Sequence, residues 1–242
     1  MNNLFGNITP LVKNLIIINV LMFIASQVLG SEFVTQMAGH YFQSPFFKPW
    51  QVVTHMFMHG GIGHIFFNMY ALVLFGPRLE HKFGGKRFLQ YYMITGLGAF
   101  ILHYLVVYLQ LTSVAEFADA EVLSLLNNEG ARLVASGRNY TDEVLGKLNG
   151  IYNGSVVGAS GAVFGILLAY GMTYPNEKIM LMFPPIPMKV KHFVMGYGAL
   201  ELYMGIANNP GDNTAHFAHL GGMLFGFILL KIWNKKQNNW EY

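Results

Sequence analysis

A serine and a histidine, far apart in this chain, sit in similar settings. Ser160 lies in Gly158-Ala159-Ser160-Gly161-Ala162 and His219 in Ala218-His219-Leu220-Gly221-Gly222, and each motif opens an apolar run. A hydroxyl beside an imidazole makes a nucleophile and a general base for acyl transfer. The small residues around both side chains would let their helices approach closely. Gly222 and Gly226 follow His219 at three and seven residues, on its own helical face. A helix start at Ser160 leaves free backbone N–H groups beside the hydroxyl, and these can hold an oxyanion. The plainer role, a hydroxyl bonded to a backbone carbonyl, suits Ser26 and Ser155 better.

Other polar residues occur in apolar surroundings. His64 and Asn68 are spaced i, i+4, so one helical face carries both. Each has an N–H to offer a developing negative charge, or the two could join helices structurally. His216, one turn before His219, is the rival base, but it lacks the glycine stripe. Glu201 falls within an apolar run that reads in the opposite direction. It counts to mid-membrane and is expected to be a structural hydrogen-bonding group. Asp212 falls in a loop. A Ser–His dyad is therefore expected rather than a triad. A second grouping takes His55, His59 and His64, or His216 and His219, as zinc ligands. No His-Glu-x-x-His pattern supports it, and no metal or cofactor is expected. His55 and His59 read as interfacial or structural.

The elements that must carry these residues are membrane helices. Of the 242 residues, 53% are hydrophobic and only 11% charged, against about 25% charged in soluble domains. Mean hydropathy is +0.39. Spans of roughly 20 apolar residues are read near 11–30, 62–77, 88–109, 157–174, 191–208 and 214–233, the second and fourth being short. This is an all-α membrane protein with six transmembrane helices in one domain, 1–242. The first run, preceded by Lys13 alone, reads as a retained span rather than a leader. The chain has no cysteine, so thiolate chemistry is excluded. The formal net charge of +3 is small and dispersed, so no nucleic-acid surface is expected.

Lysine and arginine set the orientation. With both termini in the cytoplasm, only Lys48, Arg132, Arg138 and Lys147 fall outside. Spans two, four and six then enter from the outer side. His64, Asn68, Ser160 and His219 thereby share one shallow depth. A bacterial inner membrane is the expected location.

Two outer segments stand apart. Residues 31–58 combine Phe42, Phe46, Phe47 and Trp50 with Pro45 and Pro49, which suits the headgroup region. Residues 112–155 form an insertion rich in Glu, Asp and Asn. Within it, Val114–Leu126 and Asp142–Leu148 are amphipathic. Asn127-Asn128-Glu129-Gly130 and Ser136-Gly137-Arg138-Asn139 read as turns. A helical cap and a partly ordered tether are both compatible with that sequence. Pro184-Pro185-Ile186-Pro187 reads as the cytoplasmic turn between spans four and five.

Taken together, the motifs resemble the rhomboid family of intramembrane serine proteases. The matches are His64-Ile65-Phe66-Phe67-Asn68, Gly158-Ala159-Ser160-Gly161 and Ala218-His219-Leu220-Gly221-Gly222-Met223-Leu224-Phe225-Gly226, in the family's order. Trp50-Gln51 with Thr54, and His59-Gly60-Gly61, look like its outer loop. The resemblance implies a six-helix bundle with a water-filled cavity opening outward. It implies Ser160 as nucleophile and His219 as base. His64, Asn68 and the Ser160 N–H would form the oxyanion hole, and Phe164 would pack on the imidazole. Gly158, Gly161 and Gly222 would support the close packing. Implied substrates are membrane-anchored proteins, cut near the outer end of their span and entering between spans two and five. A substrate helix must unwind to be cut, so Gly or Pro near the bond is expected to help. The 112–155 insertion departs from the compact family pattern and bears on substrate choice. A non-catalytic client-binding relative and a small transporter are the competing classes.

Overall fold

Backbone in lipid must satisfy its hydrogen bonds internally, so long apolar runs fold as helices. A computed structural model describes residues 8–180, 186–207 and 214–238. Pro184, Pro185 and Asp212 lie outside the described residues. Six helices build the bundle: α1 (Pro10–Met37), α2 (Ile62–Phe83), α3 (Gly85–Thr112), α4 (Ser160–Thr173), α5 (Val190–Ala207) and α6 (His216–Asn238). Four of them, α1, α2, α3 and α6, are long and apolar enough to cross a membrane. The expected second span is longer than read, because α2 continues through Pro77 to Phe83. Most of the helices likewise run past the apolar windows that marked them.

Helix α4 is the hub. Its 14 residues reach only about 21 Å at 1.5 Å per residue, less than a ~30 Å hydrocarbon core. It can be short because it is enclosed, packing against α2, α3, α5 and α6. Nearly every side from Gly161 to Gly171 is buried. Its neighbours keep its ends away from lipid, which would not tolerate the free N–H groups at its start.

Polar side chains fix the peripheral helices. Glu80 of α2 accepts from Thr9 Oγ1, from Leu11 N–H at 3.2 Å and from Val12 N–H at 3.0 Å. It thereby satisfies donors at the start of α1. On the far side, Gln51 Nε2 donates to Thr35 O and Phe46 O, each at 3.0 Å. Gln51 ties the outer loop together this way. That loop holds short helical turns at Gln51–Thr54 and His55–Phe57.

The insertion is an ordered cap. The expected turn at 127–130 is instead helical. Residues Ala120–Leu125, Leu126–Gly130 and Ala131–Ala135 form one helical stretch, with a wider π turn in the middle. A second helix, Glu143–Asn153, starts at Asp142, whose carboxylate accepts from Leu145 N–H at 2.8 Å. The two helices pack Leu126, Leu148 and Tyr152 onto Tyr41, Tyr104 and Leu111. Asn153 Nδ2 donates to Leu126 O at 2.8 Å, and Ser44 Oγ donates to Asn153 Oδ1 at 2.7 Å. The cap is thus bonded to the outer loop as well. It leads into β2 (Ser155–Val156), which pairs antiparallel with β1 (Gly39–His40). Strand β2 delivers the chain directly to Ser160. A second antiparallel strand pair, β3 (Lys178–Met180) with β4 (Pro187–Lys189), lies between α4 and α5.

Candidate active site

Glycine at position 158 sets the entry to α4. Its φ is +134°, a conformation that side-chain-bearing residues rarely adopt. A Cβ there would also stand 2.8 Å from His64 Nε2. Gly158 N–H donates to His55 O at 2.9 Å, which anchors the loop just before Ser160. The His55 ring is buried, packs against Phe100 at 4.8 Å with the rings tilted 44°, and bonds through Nδ1 to Gln51 O at 2.9 Å. Burial pushes its imidazole down to about 4. Burial and then the neighbouring His64 ring likewise hold His59 at about 4.

Ser160 and His219 meet. The hydroxyl lies 2.9 Å from His219 Nε2, within hydrogen-bond range. The contact requires glycine at 222. A Cβ there would lie 1.8 Å from Gly161 O, so α4 and α6 touch backbone to backbone. The glycine stripe splits beyond this point. Gly226 faces α3, where a Cβ would stand 2.3 Å from Tyr91 Oη. Phe164, one turn after Ser160, stacks on the imidazole at 4.2 Å with ring planes 6° apart.

The other face of His219 overturns one expectation. Its Nδ1 lies 2.8 Å from Glu201 Oε2, and His216 Nδ1 lies 2.7 Å from the same oxygen. Glu201 is therefore next to the pair, not remote from it. Counting α5 from its outer end, Ala207, puts Glu201 six residues down, about 9 Å along the helix. That is comparable in depth to the first turns of α6. A signal was present in the sequence. Val190, Val194 and Glu201 are the buried residues of α5. Gly198 and Gly205 extend their stripe toward Met223, His216 and Phe217 of α6. His216, first read only as a competitor for Ser160, turns its Nδ1 to the carboxylate.

His64 and Asn68 line the same cavity as Ser160 and His219. Its volume is about 930 Å³, and Phe164 and Tyr197 also border it. Gly60 N–H donates to His64 Nδ1 at 3.4 Å, which assigns the ring proton to Nε2. Asn68 Nδ2 donates one N–H to His64 O at 3.0 Å, leaving its second N–H for the cavity. The first N–H groups of α4 open beside Ser160 and have no partner within the helix. Donors from two elements therefore converge near a hydroxyl already bonded to a base.

A cation is the other occupant to consider. Glu201, His216 and His219 offer one ligand atom each, all within 4.8 Å of one another. The grouping of His55, His59 and His64 weighed from the sequence does not form such a set among the described residues.

Comparisons with known proteins bear on the family. A family profile described as "Rhomboid domain" matches residues 47–235. The chain is 28% identical over 180 residues to "RHOMBOID-like protein 1" of Arabidopsis thaliana, covering 74% of this chain and 33% of that one. It is 27% identical to "RHOMBOID-like protein 6, mitochondrial", covering 80% of this chain and 47% of that one, also from Arabidopsis thaliana. "Rhomboid-like protein 16, chloroplastic" from the same organism is 25% identical, covering 90% and 60%. The chain spans about a third to three-fifths of the length of these relatives.

Proposed function

The chain belongs to the rhomboid family, and from that premise we propose that it is an active intramembrane serine endopeptidase. One observation carries the reading: the 2.9 Å contact of Ser160 Oγ with His219 Nε2 beside a polar cavity. Ser160 is the nucleophile. As its oxygen bonds the substrate carbonyl carbon, its proton passes to His219 Nε2. The carbonyl oxygen becomes an oxyanion, held by Ser160 N–H, His64 Nε2–H and the Asn68 amide. Collapse breaks the C–N bond, and the proton goes to the leaving amine. Water from the cavity then hydrolyses the acyl-enzyme, with His219 again as base.

The substrate is the outer end of a membrane-anchored helix. It enters between α2 and α5, whose Phe67 and Tyr197 both border the cavity. The same reading assigns a bacterial inner membrane with both termini cytoplasmic, supported by the lysine and arginine bias. Close helix packing alone would also serve a client-binding relative. The free polar donors beside Ser160 favour chemistry.

A fluorophosphonate probe tests the reading on the purified protein in detergent. Mass spectrometry should place the adduct on Ser160, and His219→Ala should prevent labelling. An intact, unlabelled wild-type protein would support the client-binding relative instead.

A further inference from the structure

We infer that Glu201 completes a Ser160–His219–Glu201 triad as a positioning residue, a role that rests on the protease reading above. Three features of the geometry point to it. First, the chain of contacts is linear: Ser160 Oγ to His219 Nε2 at 2.9 Å, then His219 Nδ1 to Glu201 Oε2 at 2.8 Å. A carboxylate at Nδ1 accepts that ring's N–H and leaves Nε2 unprotonated, the tautomer a base needs. Second, a carboxyl among apolar helices is costly, and such groups pair or serve a function. Glu201 is buried within α5, while Leu200, Leu202 and Tyr203 beside it are exposed. The helix therefore turns its one carboxyl inward, toward His219. Third, His216 Nδ1 donates to the same carboxylate oxygen at 2.7 Å. Two N–H donors hold that oxygen in place.

The remaining contacts fit this assignment. Phe164 fixes the imidazole plane by stacking, and Glu201 fixes its rotation about that plane. When Ser160 attacks, its proton moves to Nε2 and His219 becomes an imidazolium. Glu201 stabilises that charge across the Nδ1–H bond and takes no proton itself. The proton leaves with the amine, and the triad returns to its starting state.

The test uses the full chain in liposomes with a single-span test substrate. Glu201→Gln should lower kcat by at least about 100-fold, toward the ~10⁴-fold scale of triad-acid removal elsewhere, with KM changed less than about twofold. Glu201→Asp should recover part of kcat, which a purely structural glutamate would not predict. Ser160→Ala should abolish cleavage. If Ser160→Ala abolishes cleavage but Glu201→Gln keeps kcat within about twofold, the triad is wrong and the protease reading stands. If Ser160→Ala still cleaves, the protease reading itself has failed. Should Glu201→Gln not fold, nitrogen NMR of ¹⁵N-histidine-labelled wild type decides. The His219 signal, assigned by its loss in His219→Gln, should report a proton on Nδ1 at neutral pH. A proton on Nε2 would overturn the triad.

Discussion

Gly222 of α6 lies against Gly161 of α4 so closely that one added methyl group would stand 1.8 Å from the Gly161 carbonyl oxygen. This backbone contact sets the distance between Ser160 and His219, which extend from the same two helices. Gly222→Ala should force α4 and α6 apart, costing about 1–3 kcal/mol as overpacking does. Cleavage should fall further than stability, because a shift of an ångström breaks the 2.9 Å contact. Thermal melting and cleavage assays on that variant check it. Wild-type activity in Gly222→Ala would show that the helix spacing does not control the pair.

His64 and Asn68 reach the same cavity from α2, a different helix from those that carry Ser160 and His219. Removing either as an oxyanion donor should reduce kcat by about 100- to 1000-fold, with KM less affected. Steady-state kinetics of His64→Ala and Asn68→Ala, each verified as folded, give the comparison. A rise in KM with kcat unchanged would make them substrate-binding groups instead.

The cap should respond to a single amide. Asn153 accepts from Ser44 Oγ and donates to Leu126 O while fully enclosed. Asn153→Ala removes these two bonds and a third to Asn149 Oδ1, and should cost about 1–3 kcal/mol. Limited proteolysis should then cut within 112–155 faster than in the wild type. Equal resistance in the two proteins would mean that this network does not hold the cap.

His55 gives the outer loop a pH dependence. Its folded imidazole is pushed down to about 4 from an ordinary 6.5. Below about pH 6.5 the unfolded chain binds a proton that the folded chain refuses, so stability falls with acidification toward about pH 4. At ~1.4 kcal/mol per unit, this one group accounts for at most ~3.5 kcal/mol. His55→Gln, which cannot titrate, should flatten the fall in melting temperature between pH 7.5 and pH 5. An unchanged fall would assign the effect to other groups, such as His40, which burial also holds low.

The helix centres were readable because a membrane demands apolar runs, and the site because small residues flank both Ser160 and His219. Helix ends were less readable, since α2 and α6 continue into polar sequence beyond the apolar window. Glu201 was not legible as a partner of His219 because position along α5 does not show how α5 and α6 are staggered, and their stagger brings the two side chains together. Its inward stripe with Val194 was legible at helical spacing, but the partner side chains lie 15 and 18 residues away on another helix. The cap was ambiguous for a similar reason. Asn127-Asn128-Glu129-Gly130 has turn-like composition, yet Asn149 and Asn153 bond this segment's carbonyls from a distant helix. Tertiary partners overrode the local preference.

Cleavage of a single-span test substrate by wild type and by Ser160→Ala, side by side in liposomes, bears most directly on the central claim. The account predicts cleavage near the outer end of the substrate span by the wild type, and none by the folded Ser160→Ala protein. Cleavage that survives Ser160→Ala would contradict it and return attention to Glu201, His216 and His219 as ligands of a cation.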